Sequence, residues 1–250
     1  MTSPAFHEAT HRQAQDRVTL RWDTWRAWVL ANLAAEALGL DATLLIGVAL
    51  LGQVEPRIGT VAVALLAVAL GAVCEGGIVG TLQWLVLRHP APSIRWRAWA
   101  GATALGAGIA WALGMVPSVV TSFVPAQPSA DSTQGFDIAG PAVLPLAATM
   151  GIALGAILGA AQWIVLRRHV PRAGWWIPAN AIAWAVGMAL VFTGMGFIPD
   201  SGGVTTGIIV AVIICVALAG IAVGAIHGLA LIWLLRKRDC ALLASQVREQ

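Results

Sequence analysis

The stretch GIALGAILGAAQWIVLR, residues 151–167, decides how the rest of the chain is read. It carries no charge before Arg167 and sets glycine at 151, 155 and 159. Residues four apart share one face of a helix. A glycine face lets a second backbone come close where lipid supplies no hydrophobic drive for association. The same pattern stands upstream as AVCEGGIVGTLQWLVLR (72–88) and downstream as GIAVGAIHGLALIWLLR (220–236). Aligned without gaps, the small residues coincide: Ala72, Gly76 and Gly80; Gly151, Gly155 and Gly159; Gly220, Gly224 and Gly228. Gln83-Trp84 matches Gln162-Trp163, and the segments close on Arg88, Arg167 and Arg236. These glycines are read as helix-packing positions, with the three segments meeting at the centre and the intervening helices outside.

Composition identifies the solvent. Of 250 residues, 58% are hydrophobic and 11% charged, and the mean hydropathy is +0.80; soluble domains average about 45–50% and 25%. Disorder is excluded by the same figures, and so is a water-soluble core. Six apolar stretches, about 27–53, 58–87, 98–122, 138–166, 174–198 and 203–235, reach the roughly 20 residues a helix needs to cross a bilayer. Their continuous Ala/Leu/Gly character opposes a β-barrel, whose strands alternate.

Charge placement orients the spans. Of the 15 basic residues, Arg57 alone falls in a loop on the opposite side. Arg12, Arg17, Arg21 and Arg26 precede the first span, and Arg88, Arg95 and Arg97 separate the second and third. Arg167, Arg168 and Arg172 separate the fourth and fifth, and Arg236, Lys237, Arg238 and Arg248 follow the sixth. The positive-inside bias therefore predicts cytoplasmic N and C termini. The other loops carry Glu55, Asp131, Asp137 and Asp200, and the longest, about 121–137, is rich in Pro and Ser. Ten tryptophans, among them Trp28, Trp99 and Trp176, fall near the basic boundary, where interfacial anchoring is the expected role. The opening residues lack a signal-peptide pattern, so residues 1–25 read as a cytoplasmic arm.

The odd-numbered spans repeat more loosely. WRAW occurs at 25–28 and 96–99, AWVLANLAAEALG (27–39) aligns with WWIPANAIAWAVG (175–187), and WALG recurs at 111–114. The expected architecture is an all-α integral membrane domain over 26–237, with a tail at 238–250. It comprises six transmembrane helices in three tandem two-helix repeats, about 25–89, 96–168 and 175–237. Two spans per unit make the repeats parallel. The pattern resembles uncharacterised bacterial multi-pass membrane proteins with repeated GxxxG and QW-x-VLR segments, over about 25–237. That resemblance implies a bacterial cytoplasmic membrane and attaches no activity. The third repeat departs from it, with Leu231-Ile232-Trp233 where Gln-Trp would stand.

Polar residues inside the spans are the candidate sites. Asn32, Gln83 and Gln162 lie roughly 7–9 Å from the flanking basic residues at 1.5 Å per residue; with Asn180, which matches Asn32 in the third repeat, they are expected to share one layer. Glu36, Glu75 and His227 lie deeper, at roughly 15, 19 and 13 Å by the same rise. Each breaks the ungapped alignment: Glu36 stands against Trp111 and Trp184, Glu75 against Leu154 and Val223, and His227 against Val79 and Leu158. An ionisable group inside a span is a functional-site hypothesis by default. An interior Glu–Glu or Glu–His contact fits the spacing, and Asp41 adds a further acid.

No catalytic or metal motif is present, and Cys74, Cys215 and Cys240 form no paired pattern. No cofactor, metal or nucleic acid is expected. The partners expected are the lipid bilayer, with anionic lipid at the Arg clusters, and a membrane protein or second copy. The leading expectation is a structural or partner-binding membrane component without chemistry of its own. The alternative is a small proton- or cation-linked transporter or channel using Glu36, Glu75 and His227.

Overall fold

The computed structural model describes residues 21–40, 42–43, 46, 59–123, 142–198 and 205–248. Among the described residues the regular structure is entirely helical. We call the run over 21–40 α1; positions 42, 43 and 46 are helical too. Then follow α2 (Thr60–Leu87), α3 (Trp96–Ser122), α4 (Val143–Leu166), α5 (Trp176–Met195, behind a 3-10 turn at Ala173–Trp175) and α6 (Thr206–Arg248). Asp41 and most of the 121–137 loop lie outside the described residues.

Five helices contain segments long and apolar enough to cross a membrane: Thr60–Leu87, Trp96–Val116, Val143–Leu166, Ala173–Met195 and Thr206–Arg238. Helix is the form such sequences take in lipid, because it satisfies every backbone polar group within the segment. On α1 the buried positions include Trp28, Asn32, Ala35, Glu36 and Gly39, one continuous face of a 3.6-residue period. α6 spans 43 residues, about 64 Å at helical rise and twice the roughly 30 Å of hydrocarbon. Its basic end therefore extends past the membrane-length segment, and Arg238 Nη1 donates to the Pro90 carbonyl at 2.7 Å in the α2–α3 turn.

The helices form a closed ring in chain order, each on the next and α6 back on α1. This corrects the expectation of a central contact among the even-numbered helices. Their glycines face odd-numbered neighbours: Gly76 and Gly80 meet α3, Gly151, Gly155 and Gly159 meet α5, and Gly220, Gly224 and Gly228 meet α1. The reason is reach. A glycine face gives its closeness to whichever backbone comes nearest, and the adjoining odd helix carries small or flat residues such as Ala100 and Ala104 there.

The contacts also set a register. A methyl group at Gly80 would lie 2.7 Å from Ala100 Cα and 3.0 Å from Thr103 Cβ. At Gly159 it would lie 2.9 Å from Asn180 Cβ and 3.1 Å from Ile177 Cα, and at Gly224 2.9 Å from Asn32 Cβ and 3.0 Å from Val29 Cα. Gly224, not Gly228, thus takes the place of Gly80 and Gly159. Relative to the ungapped alignment, α6 is displaced by four residues, one helical turn. Leu231 then stands with Leu87 and Leu166, and all three are fully buried in one apolar cluster.

Gly155→Leu and Gly224→Leu are expected to lower the thermal unfolding midpoint in detergent strongly, because each side chain would push into neighbouring backbone; overpacking alone costs about 1–3 kcal/mol. Unchanged midpoints in both variants would show that these contacts do not hold the ring.

Candidate functional site

Trp28, Trp99 and Trp176 are fully buried, one each from α1, α3 and α5. Their rings meet in a triangle, with centroid separations of 6.4 Å (Trp28–Trp99), 6.0 Å (Trp28–Trp176) and 6.2 Å (Trp99–Trp176). The edge-to-face and tilted arrangements suit the aromatic quadrupole. Leu87, Leu166, Leu231 and Leu234 pack around them, and Ala91, Ile94 and Val170 of the connecting turns close the end. Ser93 Oγ and His169 Nδ1 lie 3.0 Å apart and join the two turns. The anchoring role expected for all boundary tryptophans is therefore corrected for these three, which form the core. Trp22, Trp96, Trp175 and Trp233 remain exposed.

Each buried indole needs an acceptor, since an unpaired donor in this environment costs about 1–3 kcal/mol. Trp99 Nε1 donates to Gln83 Oε1 at 3.2 Å, Trp176 Nε1 to Gln162 Oε1 at 2.8 Å, and Trp28 Nε1 to His227 Nδ1 at 2.8 Å. His227 therefore acts where the glutamines act, on α6 in place of α2 and α4. The sequence alignment had set it against Val79 and Leu158; the one-turn displacement of α6 corrects that. Accepting at Nδ1 leaves the neutral imidazole its proton on Nε2. The ring also packs on Trp28 and Trp176, at 5.7 and 5.4 Å between centroids.

The amides continue the layer inward. Gln83 Nε2 donates to Asn32 Oδ1 at 2.9 Å, and Gln162 Nε2 donates to Gln83 Oε1 and to Thr103 Oγ1, both at 3.0 Å. Asn32 Nδ2, Thr103 Oγ1 and Asn180 Nδ2 each donate to the carbonyl four residues back, that of Trp28, Trp99 and Trp176, at 2.8, 2.9 and 2.9 Å. The structure thus joins Asn32, Gln83 and Gln162 directly and ties Asn180 to the same layer through the Trp176 backbone. Sequence reasoning missed Thr103 and the three tryptophans as members. Their signal was available: WRAW at 25–28 and 96–99 leads to Asn32 and Thr103 at the same spacing.

The carboxylates form a separate place. Glu36 Cβ faces Gly220 on α6, seven residues before His227, or roughly 10 Å along the helix. Glu75 packs on Gly39 of α1, its Cγ 3.6 Å from where a methyl would stand. Glu36 lies three residues before Gly39 on the same buried face of α1, so both acids stand at the α1–α2 contact. Glu36 and Glu75 are therefore brought together, and His227 is not with them. Glu75 sits in a π-helical turn, Gly71–Gly76, inside α2, a local widening often found at functional positions. Its Oε2 accepts from Trp111 Nε1 at 2.8 Å, and the Trp111 ring lies against Gly71. Glu36 is 3% exposed, and its Oε1 has no hydrogen-bond partner among the described residues. Trp184 Nε1 is likewise buried without one. In the packing register Glu36 corresponds to Trp184 and Ala107, with Trp111 one turn further along, which corrects its equation with Trp111.

His227→Gln is expected to keep the midpoint of thermal unfolding close to that of the parent, because an amide can accept from Trp28. His227→Leu and Gln162→Leu strand an indole donor and should each cost about 1–3 kcal/mol. Equal midpoints for His227→Leu and the parent would contradict the role assigned to the ring. Comparison of the chain with protein-family models, with curated proteins and with solved structures finds no match to any of them.

Proposed function

We propose that this chain is a structural, partner-binding component of a bacterial cytoplasmic membrane, without chemistry of its own. In this reading it is three parallel hairpins, about 25–89, 96–168 and 175–237, with both termini and the long end of α6 on the cytoplasmic side. The observation that carries it is the buried triangle of Trp28, Trp99 and Trp176, each ring held by Gln83, Gln162 or His227. Such a layer fills and rigidifies the end of the ring that bears the arginines. The distribution of basic residues supports the orientation. So do the cations stacked on aromatic rings four residues earlier, Arg88 on Trp84 at 5.6 Å, Arg167 on Trp163 at 4.8 Å and Lys237 on Trp233 at 5.9 Å, where interfacial belts form. A membrane-protein partner or second copy would then dock on the ring's outer surface.

A second reading has one observation in its favour: the Oε1 of buried Glu36, unpartnered among the described residues, at the α1–α2 contact that also holds Glu75. A proton or small cation could be taken up there from the side opposite the tryptophans. Flux measurements on reconstituted vesicles separate the two. The structural reading expects proton and cation fluxes equal to those of empty vesicles. A pH-dependent flux abolished by Glu75→Gln would replace it with the transport reading.

A further inference from the structure

The outer face of the α2–α3 pair carries a groove of about 840 Å³, within the range of roughly 300–1,000 Å³ typical of small-molecule sites. Gly77 of α2 and Gly101 and Ala104 of α3 line it, with Thr81, Trp96 and Arg97 at the end toward the turn. The two glycines are unlike those that hold the ring. Gly76 and Gly80, one residue before Gly77 and three after it, meet α3 closely, whereas a methyl group at Gly77 or Gly101 would have nothing within 4 Å. Glycine inside a helix costs about 1 kcal/mol relative to alanine, and at these two positions the cost gains no contact among the described residues. What it does produce is a trough.

The mouth of the trough has a charge. Arg97 is exposed at the start of α3 and lines the groove. Trp96 stands beside it, fixed by donation from Nε1 to Thr81 Oγ1 at 3.1 Å. An apolar helix laid in the trough would cover the guanidinium without a counter-charge, which is costly. An occupant with an apolar tail and an anionic head would pair it through the two-pronged hydrogen bonding that guanidinium offers phosphate.

We propose that the α2–α3 groove is a binding site for an anionic phospholipid, one acyl chain lying over Gly77 and Gly101 and the phosphate on Arg97. This site goes beyond the structural role proposed above and does not depend on it. It also differs from loose attraction of anionic lipid to the arginine clusters, because it requires the groove as well as the charge.

Native mass spectrometry of the full chain released from nanodiscs tests it, comparing phosphatidylglycerol with phosphatidylcholine of identical chains. The parent should retain one phosphatidylglycerol about fivefold more strongly than phosphatidylcholine, near the effect of one arginine at an anionic surface. Arg97→Gln should remove the preference while leaving some lipid of either kind. A methyl group at Gly101 meets nothing within 4 Å, so Gly101→Leu should occupy the trough and lower retention of both lipids severalfold, at an unchanged unfolding midpoint. Millimolar inorganic phosphate should not displace the lipid. Equal retention of both lipids by the parent overturns the proposal, as does full retention in Gly101→Leu. Displacement by phosphate alone would reduce the site to the headgroup contact and overturn the acyl-chain assignment. Conversion of a dimer to a monomer by Gly101→Leu, with lipid unaffected, would assign the groove to a second copy. Should Gly101→Leu fold poorly, the loss of preference in Arg97→Gln still decides whether the charge selects the lipid.

Discussion

Close approach of backbones is what the rest of this structure depends on. In hydrocarbon a helix gains little by hiding apolar side chains, so dispersion contact and interhelical hydrogen bonds must hold the assembly. Gly80, Gly159 and Gly224 bring α2, α4 and α6 onto α3, α5 and α1. Only at that spacing can the short amide and indole groups reach across. The hydrogen-bonded layer of Gln83, Gln162 and His227 is thus a consequence of the glycines, and the triangle of indoles is a consequence of that layer.

The layer also explains why an ionisable residue stands inside an apolar, membrane-length helix. His227 offers Trp28 the same acceptor that Gln83 and Gln162 offer Trp99 and Trp176. What that corner requires is an acceptor for the Trp28 indole, which leucine could not supply. Glu36 and Glu75 have no such account within the layer. Glu36 lies one turn beyond Asn32 and Glu75 about two turns before Gln83, and the π-helical turn bearing Glu75 departs from the regular helix around it.

Much of the fold was legible in the sequence. Apolar length and helical periodicity led to membrane-length helices, and both the polar residues and the glycines were singled out. Two things were not legible, for physical reasons. A stripe with a period of four nearly repeats after sliding by four, so Gly220, Gly224 and Gly228 fell on Gly151, Gly155 and Gly159, one turn from the packing register in which Gly220 and Gly224 match Gly155 and Gly159. The terminal Arg236 made the wrong choice attractive, although α6 continues beyond the point where α2 and α4 end. Tryptophan was equally ambiguous: its amphipathic ring suits an interface, and position near a basic boundary does not reveal whether it points outward, as Trp96 does, or inward, as Trp99 does.

Ring closure has an order in time. Asn32 and Glu36 on α1 are covered by Gly224 and Gly220 of α6, a helix made only after α1 to α5. Domains and segments generally form from the N-terminus during synthesis. The polar face of α1 is therefore made before the helix that covers it. During that interval Asn32 and Glu36 lack the α6 backbone that covers them in the closed ring.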